Sequence, residues 1–170
     1  MDVLEAIRTR RSVRQFQAQP VPEQIVEQLL RAAMAAPSAC NGQPWQFVVI
    51  TDRKILQQAA AANPNAKMAA TAPLAILVCG DTRLEKAPGY WPVDCAAAVQ
   101  NLLLAAHGLG LGAVWTGIWP RQERMDGFRQ LFRLPEAVVA HTMVVVGYPA
   151  EQPAPVDRYQ PDRVHFNAFG

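Results

Sequence analysis

The stretch Asp94-Cys95-Ala96-Ala97-Ala98-Val99-Gln100-Asn101-Leu102-Leu103-Leu104-Ala105-Ala106-His107-Gly108-Leu109-Gly110-Leu111 decides the fold. It is rich in alanine and leucine, and only Gln100, Asn101 and His107 interrupt its apolar surface between the acidic start and the glycines. A helix that is apolar nearly all round must be covered on every side. The run falls short of the roughly 18–20 continuous apolar residues that a membrane span requires. A buried helix of a soluble domain is therefore predicted, with Asp94 as its expected N-cap. The glycines at 108, 110 and 112 tempt a dinucleotide-binding reading. They close a helix and precede a strand, whereas that fingerprint follows a strand and opens a helix. The reading is rejected.

Working outward, Asp2 with Glu5 predicts a capped helix from Val3 to about Arg10. A second helix starts near Pro22, with Ile25, Val26, Leu29, Leu30 and Ala33 on one face, and stops at Pro37 and Asn41-Gly42. Phe47–Ile50 and Leu74–Cys79 read as buried strands. Between them Asp52 caps an alanine-rich helix through Ala62. Beyond the central helix, Ala113–Trp115 and His141–Gly147 are strands and Arg121–Phe132 is a helix. This irregular alternation predicts an α/β (α+β) fold: one domain over residues 1–170, a mixed-sheet sandwich and not a doubly wound one. The tail from Pro149 to Gly170 has prolines at 153, 155 and 161 and no periodicity, yet carries Val164, Phe166 and Phe169. Such a tail either frays or packs on another surface. Together with the all-round apolar helix, it leads us to expect a homodimer.

Composition excludes several classes. The chain has 170 residues and a formal charge of +2, too small to argue for nucleic acid or a membrane surface. Cys40, Cys79 and Cys95 are too few for a disulfide framework, and no Cys/His cluster has metal spacing. The first residues lack a signal-peptide profile, so a reducing cytoplasm is the expected location. Basic residues are 13 Arg against 3 Lys. Arginine is the better forked donor for phosphate.

Three segments could carry chemistry. Arg8, Arg10, Arg11 and Arg14 crowd seven residues with Ser12 among them. Like charges so close repel unless an anion sits between them, although a solvated basic helix end is the plain alternative. The polar loop Ala36-Pro37-Ser38-Ala39-Cys40-Asn41-Gly42-Gln43-Pro44-Trp45 offers donors and acceptors at Ser38, Asn41 and Gln43, or simply makes a turn. Trp45 belongs to the core on this reading, and Cys40 has no activating neighbour. In Trp115-Thr116-Gly117, the glycine can admit a flat ring close to backbone N–H, or the segment is an ordinary turn. No nucleophile elbow, Ser/His/Asp set or carboxylate pair stands out, so no catalytic residue is assigned. That absence suits chemistry carried by a cofactor.

In this order and spacing, the arginine segment Arg10–Phe16, Ala36-Pro37-Ser38 with Asn41 and Gln43-Pro44-Trp45, Asp94 with Asn101–Gly112, Trp115-Thr116-Gly117, and Gly147-Tyr148-Pro149 with Arg158 resemble the FMN-dependent nitroreductase family along essentially the whole chain. The resemblance implies a three-layer sandwich, its mixed, mainly antiparallel sheet flanked by helices, in a homodimer with FMN at the interface. It implies that Arg10, Arg11, Ser12 and Arg14 hold FMN through its phosphate and the pyrimidine edge of its ring, with Arg158 as a late phosphate-binding residue. Pro37, Ser38, Ala39, Asn41 and Gln43 would reach the flavin from the partner chain. Trp115, Thr116 and Gly117 would line the ring, with a backbone N–H near N5. NADH or NADPH would be the reductant, in a ping-pong cycle with a small electron-poor acceptor such as a nitroaromatic or quinone. Reductive dehalogenation, flavin fragmentation and non-enzymatic flavin storage are the competing readings. Two departures stand out: the trimmed stretch from Gln57 to Tyr90, and Asp157-Arg158 where many relatives carry a basic pair. Tyr90, Trp91, Trp119 and Phe128 are candidate pocket walls, with core packing as the alternative for each.

Overall fold

The computed structural model describes residues 1–169. Its elements are α1 (Val3–Thr9), α2 (Glu23–Met34), β1 (Trp45–Ile50), α3 (Arg53–Ala62), β2 (Leu74–Asp81), α4 (Trp91–Gly108), β3 (Gly112–Gly117), α5 (Gln122–Phe132) and β4 (Val138–Gly147). Short 3-10 turns cover Ala39–Asn41, Pro64–Ala70 and Pro161–Arg163. The strands form one sheet in the order β1-β2-β4-β3, and every neighbouring pair is antiparallel. Among the described residues, parallel pairing enters only as an isolated bridge from Ser12 to Ala113, which lays the arginine segment along β3.

Pleating sends alternate residues to opposite faces. Ile76, Val78, Val144 and Val146 pack with α2 and α4, while Leu77, Cys79, Met143 and Val145 pack with Leu56 of α3 and Phe128 of α5. These two cores make the expected three-layer sandwich. β2 is buried along its whole length, because helices cover both of its faces. Asp2 and Asp52 cap their helices as expected, accepting from Glu5 N–H at 2.9 Å and from Lys54 N–H at 2.8 Å.

Two sequence expectations need correction. Asp94 does not cap α4: the helix begins three residues earlier at Trp91, after Tyr90, and Pro92 sits in its first turn. A missing N–H costs nothing in that turn, so the proline is accommodated at the start of the helix. Phe128 is no pocket wall; it is fully buried and stacks on Phe132 at 5.8 Å.

α4 is covered by the sheet and by α2, with Cys95, Ala98, Val99, Leu102, Leu103 and Ala106 buried. Val93, Ala97, Gln100 and Leu104 remain exposed or half-buried on its outer side. Their spacing puts them in one stripe along the helix. α1 also exposes Val3, Leu4 and Ile7, and the tail exposes Val156, Tyr159, Val164, Phe166 and Phe169. Among the described residues, no helix is long and apolar enough to cross a membrane.

Candidate functional site

The arginine segment reaches its place through a close backbone approach. After α1, Val13 N–H donates to the Ala113 carbonyl at 3.1 Å. A Cβ on Gly112 would stand 2.6 Å from Val13 Cγ1, so glycine is what lets this segment lie against β3. Farther along, Gln17 N–H donates to the Tyr148 carbonyl and Ala150 N–H to the Gln15 carbonyl. The segment is thereby stitched to the chain leaving β4.

Arg10, Arg11 and Arg158 come together although they are distant in sequence. Burial lowers the Arg10 pKa, and the charges of Arg158 and Arg11 lower it further. A cavity of about 500 Å³ is lined by Arg11, Ser12, Arg14, Gln15, Glu151, Pro153 and Arg158. Arg11 Nε is buried and has no hydrogen-bond partner. A buried unpaired guanidinium nitrogen within a group of like charges leaves a donor unsatisfied, and an anion with several acceptor oxygens would satisfy it. One carboxylate is present as well: Glu151 Oε1 accepts from the backbone N–H groups of Arg14 at 2.5 Å and Gln15 at 3.2 Å. It fixes the turn of the segment. Nothing in the sequence order marked Glu151 for this role.

The polar loop lies elsewhere on the same chain. Cys40, Asn41 and Gln43 all adopt φ of 51°. Left-handed backbone at non-glycine residues costs roughly 1–2 kcal/mol each, and such strain gathers at ligand-binding loops. The loop is pinned at both ends. Asp94, buried on α4, accepts from Ala39 N–H at 2.9 Å, and Ser38 Oγ accepts from Gln43 N–H at 3.0 Å. Among the described residues, the side-chain amides of Asn41 and Gln43 make no hydrogen bond. The arginines, by contrast, sit near the other end of α4, where His107 accepts or donates a 2.8 Å hydrogen bond with Thr9 and feels the Arg10 charge. At 1.5 Å per residue, the 13 residues from Asp94 to His107 span about 20 Å.

β3 runs back along this distance. Because the Ala113 carbonyl faces the arginine segment, alternation turns the N–H and C=O of Trp115 off the open sheet edge. Thr116 is turned inward; its hydroxyl donates to the Met143 carbonyl at 2.6 Å. The Gly117 carbonyl accepts from Arg124 at 2.9 Å and Asn63 at 3.2 Å. The structure thus gathers Arg10, Arg11, Ser12, Arg14 and Arg158, places Trp115 and Gly117 on the adjoining edge strand, and keeps Pro37–Gln43 about one helix length away. Among the described residues, no cluster of His, Cys, Asp and Glu is suited to a metal.

Beside Trp115 lies a feature that the sequence reading did not single out. His141 of β4 is buried, with Trp119 stacked on it (centroids 6.1 Å apart, planes 18° apart) and Trp115 edge-on at 5.7 Å. Burial pushes its pKa down to about 4. A histidine inside an otherwise apolar strand was the available signal. Trp91, offered as a pocket wall, packs edge-on against both His141 and Trp119 at 6.0 Å, and Tyr90 is exposed.

An antiparallel sheet between helical layers thus carries clustered arginines at one end of a central helix and a strained polar loop at the other. The chain belongs to the nitroreductase family: the family model matches residues 7–66 and 56–148. A Methanothermobacter thermautotrophicus protein, provisionally named NADH dehydrogenase/NAD(P)H nitroreductase, is 50% identical over 169 residues, covering 99% of this chain and 88% of that one. An FMN-dependent nitroreductase from Clostridium difficile superposes with TM-score 0.91 at 25% identity, covering 98% of this chain and 99% of that one. A provisionally named nitroreductase from Desulfovibrio desulfuricans, solved in complex with FMN, superposes with TM-score 0.86 at 31% identity, covering 100% and 99%.

Proposed function

We propose that the protein is an FMN-dependent NAD(P)H oxidoreductase acting as a homodimer. The observation that carries this reading is the approach of Arg10 to Arg11 and Arg158, together with an Arg11 Nε that is buried and has no hydrogen-bond partner. A phosphate monoester fits that donor set, and each charge-assisted hydrogen bond contributes about 1.5–3 kcal/mol. Arg14 and Ser12 line a cavity with Arg11 and Arg158 and add donors to the phosphate side or to the pyrimidine edge.

From there the edge of β3 leads away. Trp115 is about two strand residues, or roughly 7 Å, beyond the Ser12 bridge at Ala113. Its outward N–H can meet a ring nitrogen, and Thr116 and Gly117 hold the strand end in position. FMN, when bound, supplies hydride acceptance and release between the nicotinamide and an acceptor. The chain orients the ring and places a dipole where charge develops.

The second half of the ring's contacts comes, on this reading, from the partner. Pro37, Ser38, Ala39, Asn41 and Gln43 sit about 20 Å along α4 from the arginines of their own chain, too far to close on one ring there. A two-fold partner that covers the open α4 stripe would bring its loop to the neighbouring arginines. The exposed apolar residues of the tail from 149 onward supply a second surface for that partner.

A single shared site implies that NADH or NADPH leaves before a nitroaromatic or quinone enters. The observation in favour is that no second nucleotide-binding motif accompanies the arginine cluster. The test is anaerobic mixing of the yellow protein with NADH or NADPH. Bleaching, followed by recovery on adding a quinone, with parallel lines in steady-state plots, is expected. Intersecting lines would overturn the ping-pong order, and flavin that stays oxidised would overturn the enzyme reading in favour of storage.

A further inference from the structure

At the end of α4 away from the polar loop, a cavity of about 400 Å³ opens between α1, the glycine turn after α4 and the chain leaving β4. Arg10 and Arg11 line it together with His107, the basic residue in the last turn of α4. We propose that His107 is a pH-sensing group for the arginine site: by taking up a proton below neutrality it adds a cation beside Arg10 and tightens the binding of a phosphate monoester. This regulation rests on the reading of the arginine cluster as a phosphate site.

Hydrogen bonds fix the starting state of the imidazole. The Thr9 hydroxyl donates its one proton to the Glu5 carbonyl at 2.7 Å, and Thr9 Oγ1 lies 2.8 Å from His107 Nε2. Nε2 must therefore be the donor to Thr9, which leaves the lone pair of neutral His107 on Nδ1. A second proton adds at Nδ1 and leaves the Thr9 bond intact. Titration thus changes the charge of the cavity and not its shape.

The surroundings set the direction of the effect. Burial and then the charge of Arg10 hold the His107 pKa below its ordinary value, against an opposing pull from Glu5. The carbonyls at the end of α4 favour the imidazolium as well. Met1 with the amino terminus, Glu5 and Arg10 face the cavity from α1 and its two ends, and Arg11 follows them. Glu151 comes from the chain after β4 and is engaged with the Arg14 and Gln15 N–H groups, while Gly110–Ala113 bring no charge. α2, which also packs on α4, keeps Glu23, Glu27 and Arg31 exposed and outside the cavity.

A phosphate held by the arginines offsets the repulsion between Arg10 and His107. The coupling is reciprocal: protonated His107 holds phosphate more tightly, and bound phosphate raises the His107 pKa. FMN affinity therefore rises as pH falls through the range just below 6.5. The second ionisation of the FMN phosphate, at about pH 6, acts the other way. Comparison with His107→Gln removes it, because glutamine keeps an N–H for Thr9 and cannot titrate.

The experiment follows the His107 ring protons by NMR from about pH 8 to 5 in the flavin-free protein and with saturating FMN or riboflavin. FMN should raise the His107 midpoint by about half a unit, and riboflavin should leave it in place. Over the same range, FMN affinity of the parent relative to His107→Gln should improve about threefold. Arg10→Gln should raise the midpoint in the flavin-free protein, because the repelling charge is gone. A midpoint unmoved by FMN or by Arg10→Gln, or the same pH profile for parent and His107→Gln, would overturn the proposal. The two readings fail separately. FMN preferred over riboflavin with an unmoved His107 sinks the pH sensor alone, whereas equal binding of FMN and riboflavin sinks the phosphate site and the regulation built on it.

Discussion

Replacing Gly112 with alanine would place a new Cβ 2.6 Å from Val13 Cγ1 and 2.7 Å from Val13 Cβ. The second atom is fixed to the backbone, so no rotamer of Val13 removes the contact. Val13 is itself buried and tied to the Ala113 carbonyl, so the strain must move the backbone between Arg11 and Arg14. Overpacking of this kind costs about 1–3 kcal/mol. For a domain of this size each kcal/mol shifts Tm by about 2–4 °C, giving an expected fall of roughly 2–12 °C. Displacing the arginines should also weaken FMN binding by about tenfold or more, the loss of one charge-assisted hydrogen bond. Thermal melting of the flavin-free protein and fluorescence titration with FMN measure the two effects. Val13→Gly in the same chain removes the opposing atoms and should recover FMN affinity, though not Tm, because the buried Val13 side chain is lost. A Gly112→Ala protein with unchanged Tm and FMN affinity would refute the claim that close approach at this glycine positions the arginine segment.

Asp94→Ala leaves the Ala39 N–H without its acceptor and should cost about 1–3 kcal/mol, while Asp94→Asn, which keeps an oxygen acceptor, should cost less; urea unfolding compares them. Leu102→Ala empties a fully buried site on α4 and should destabilise by about 2–5 kcal/mol in the same assay, without direct loss of flavin contacts. His141 supplies a pH signature. Its folded pKa of about 4 lies below the ordinary 6.5, so the unfolded chain takes up a proton that the folded one refuses. Its stabilising contribution is complete above pH 6.5 and is lost as pH falls toward 4, by about 3 kcal/mol. Unfolding free energies of the parent minus those of His141→Gln, measured between pH 4 and 7, should show this slope, and a flat difference would contradict it. Arg10→Ala should release FMN while the protein stays folded, because its effect falls on the phosphate; retained flavin would show that Arg10 is not part of that site.

The fold was legible wherever local chemistry agreed with tertiary packing. Asp52 capped the helix it was expected to cap, the apolar run after Asp94 became the central helix, and Leu74–Cys79 became the most buried strand, lengthened only to Asp81. What failed was decided by partners distant in sequence. Asp94 looked like a cap because it precedes an apolar run, but its carboxylate is held by Ala39, 55 residues earlier. Phe128 sits in a helix whose pattern allows either core or pocket, and packing on the sheet and on α3 chose core. Spacing alone could suggest that the arginines 10, 11 and 14 seek an anion. It could not show that Arg158 joins them or that Glu151 holds their turn, since these meetings need the chain to return beside its own start. The histidine in β4 was visible in the sequence, but only the stacked and edge-on indoles give it a role.

The reading depends most on what the arginine cluster recognises, and riboflavin differs from FMN by the phosphate alone. Equilibrium titration of the flavin-free protein with both ligands isolates that group. FMN should bind on the order of a hundredfold more tightly, as expected for two or more charge-assisted hydrogen bonds, and Arg10→Ala with Arg11→Ala should erase most of the difference. Riboflavin binding as tightly as FMN to the parent protein would contradict the assignment of the cluster as a phosphate site.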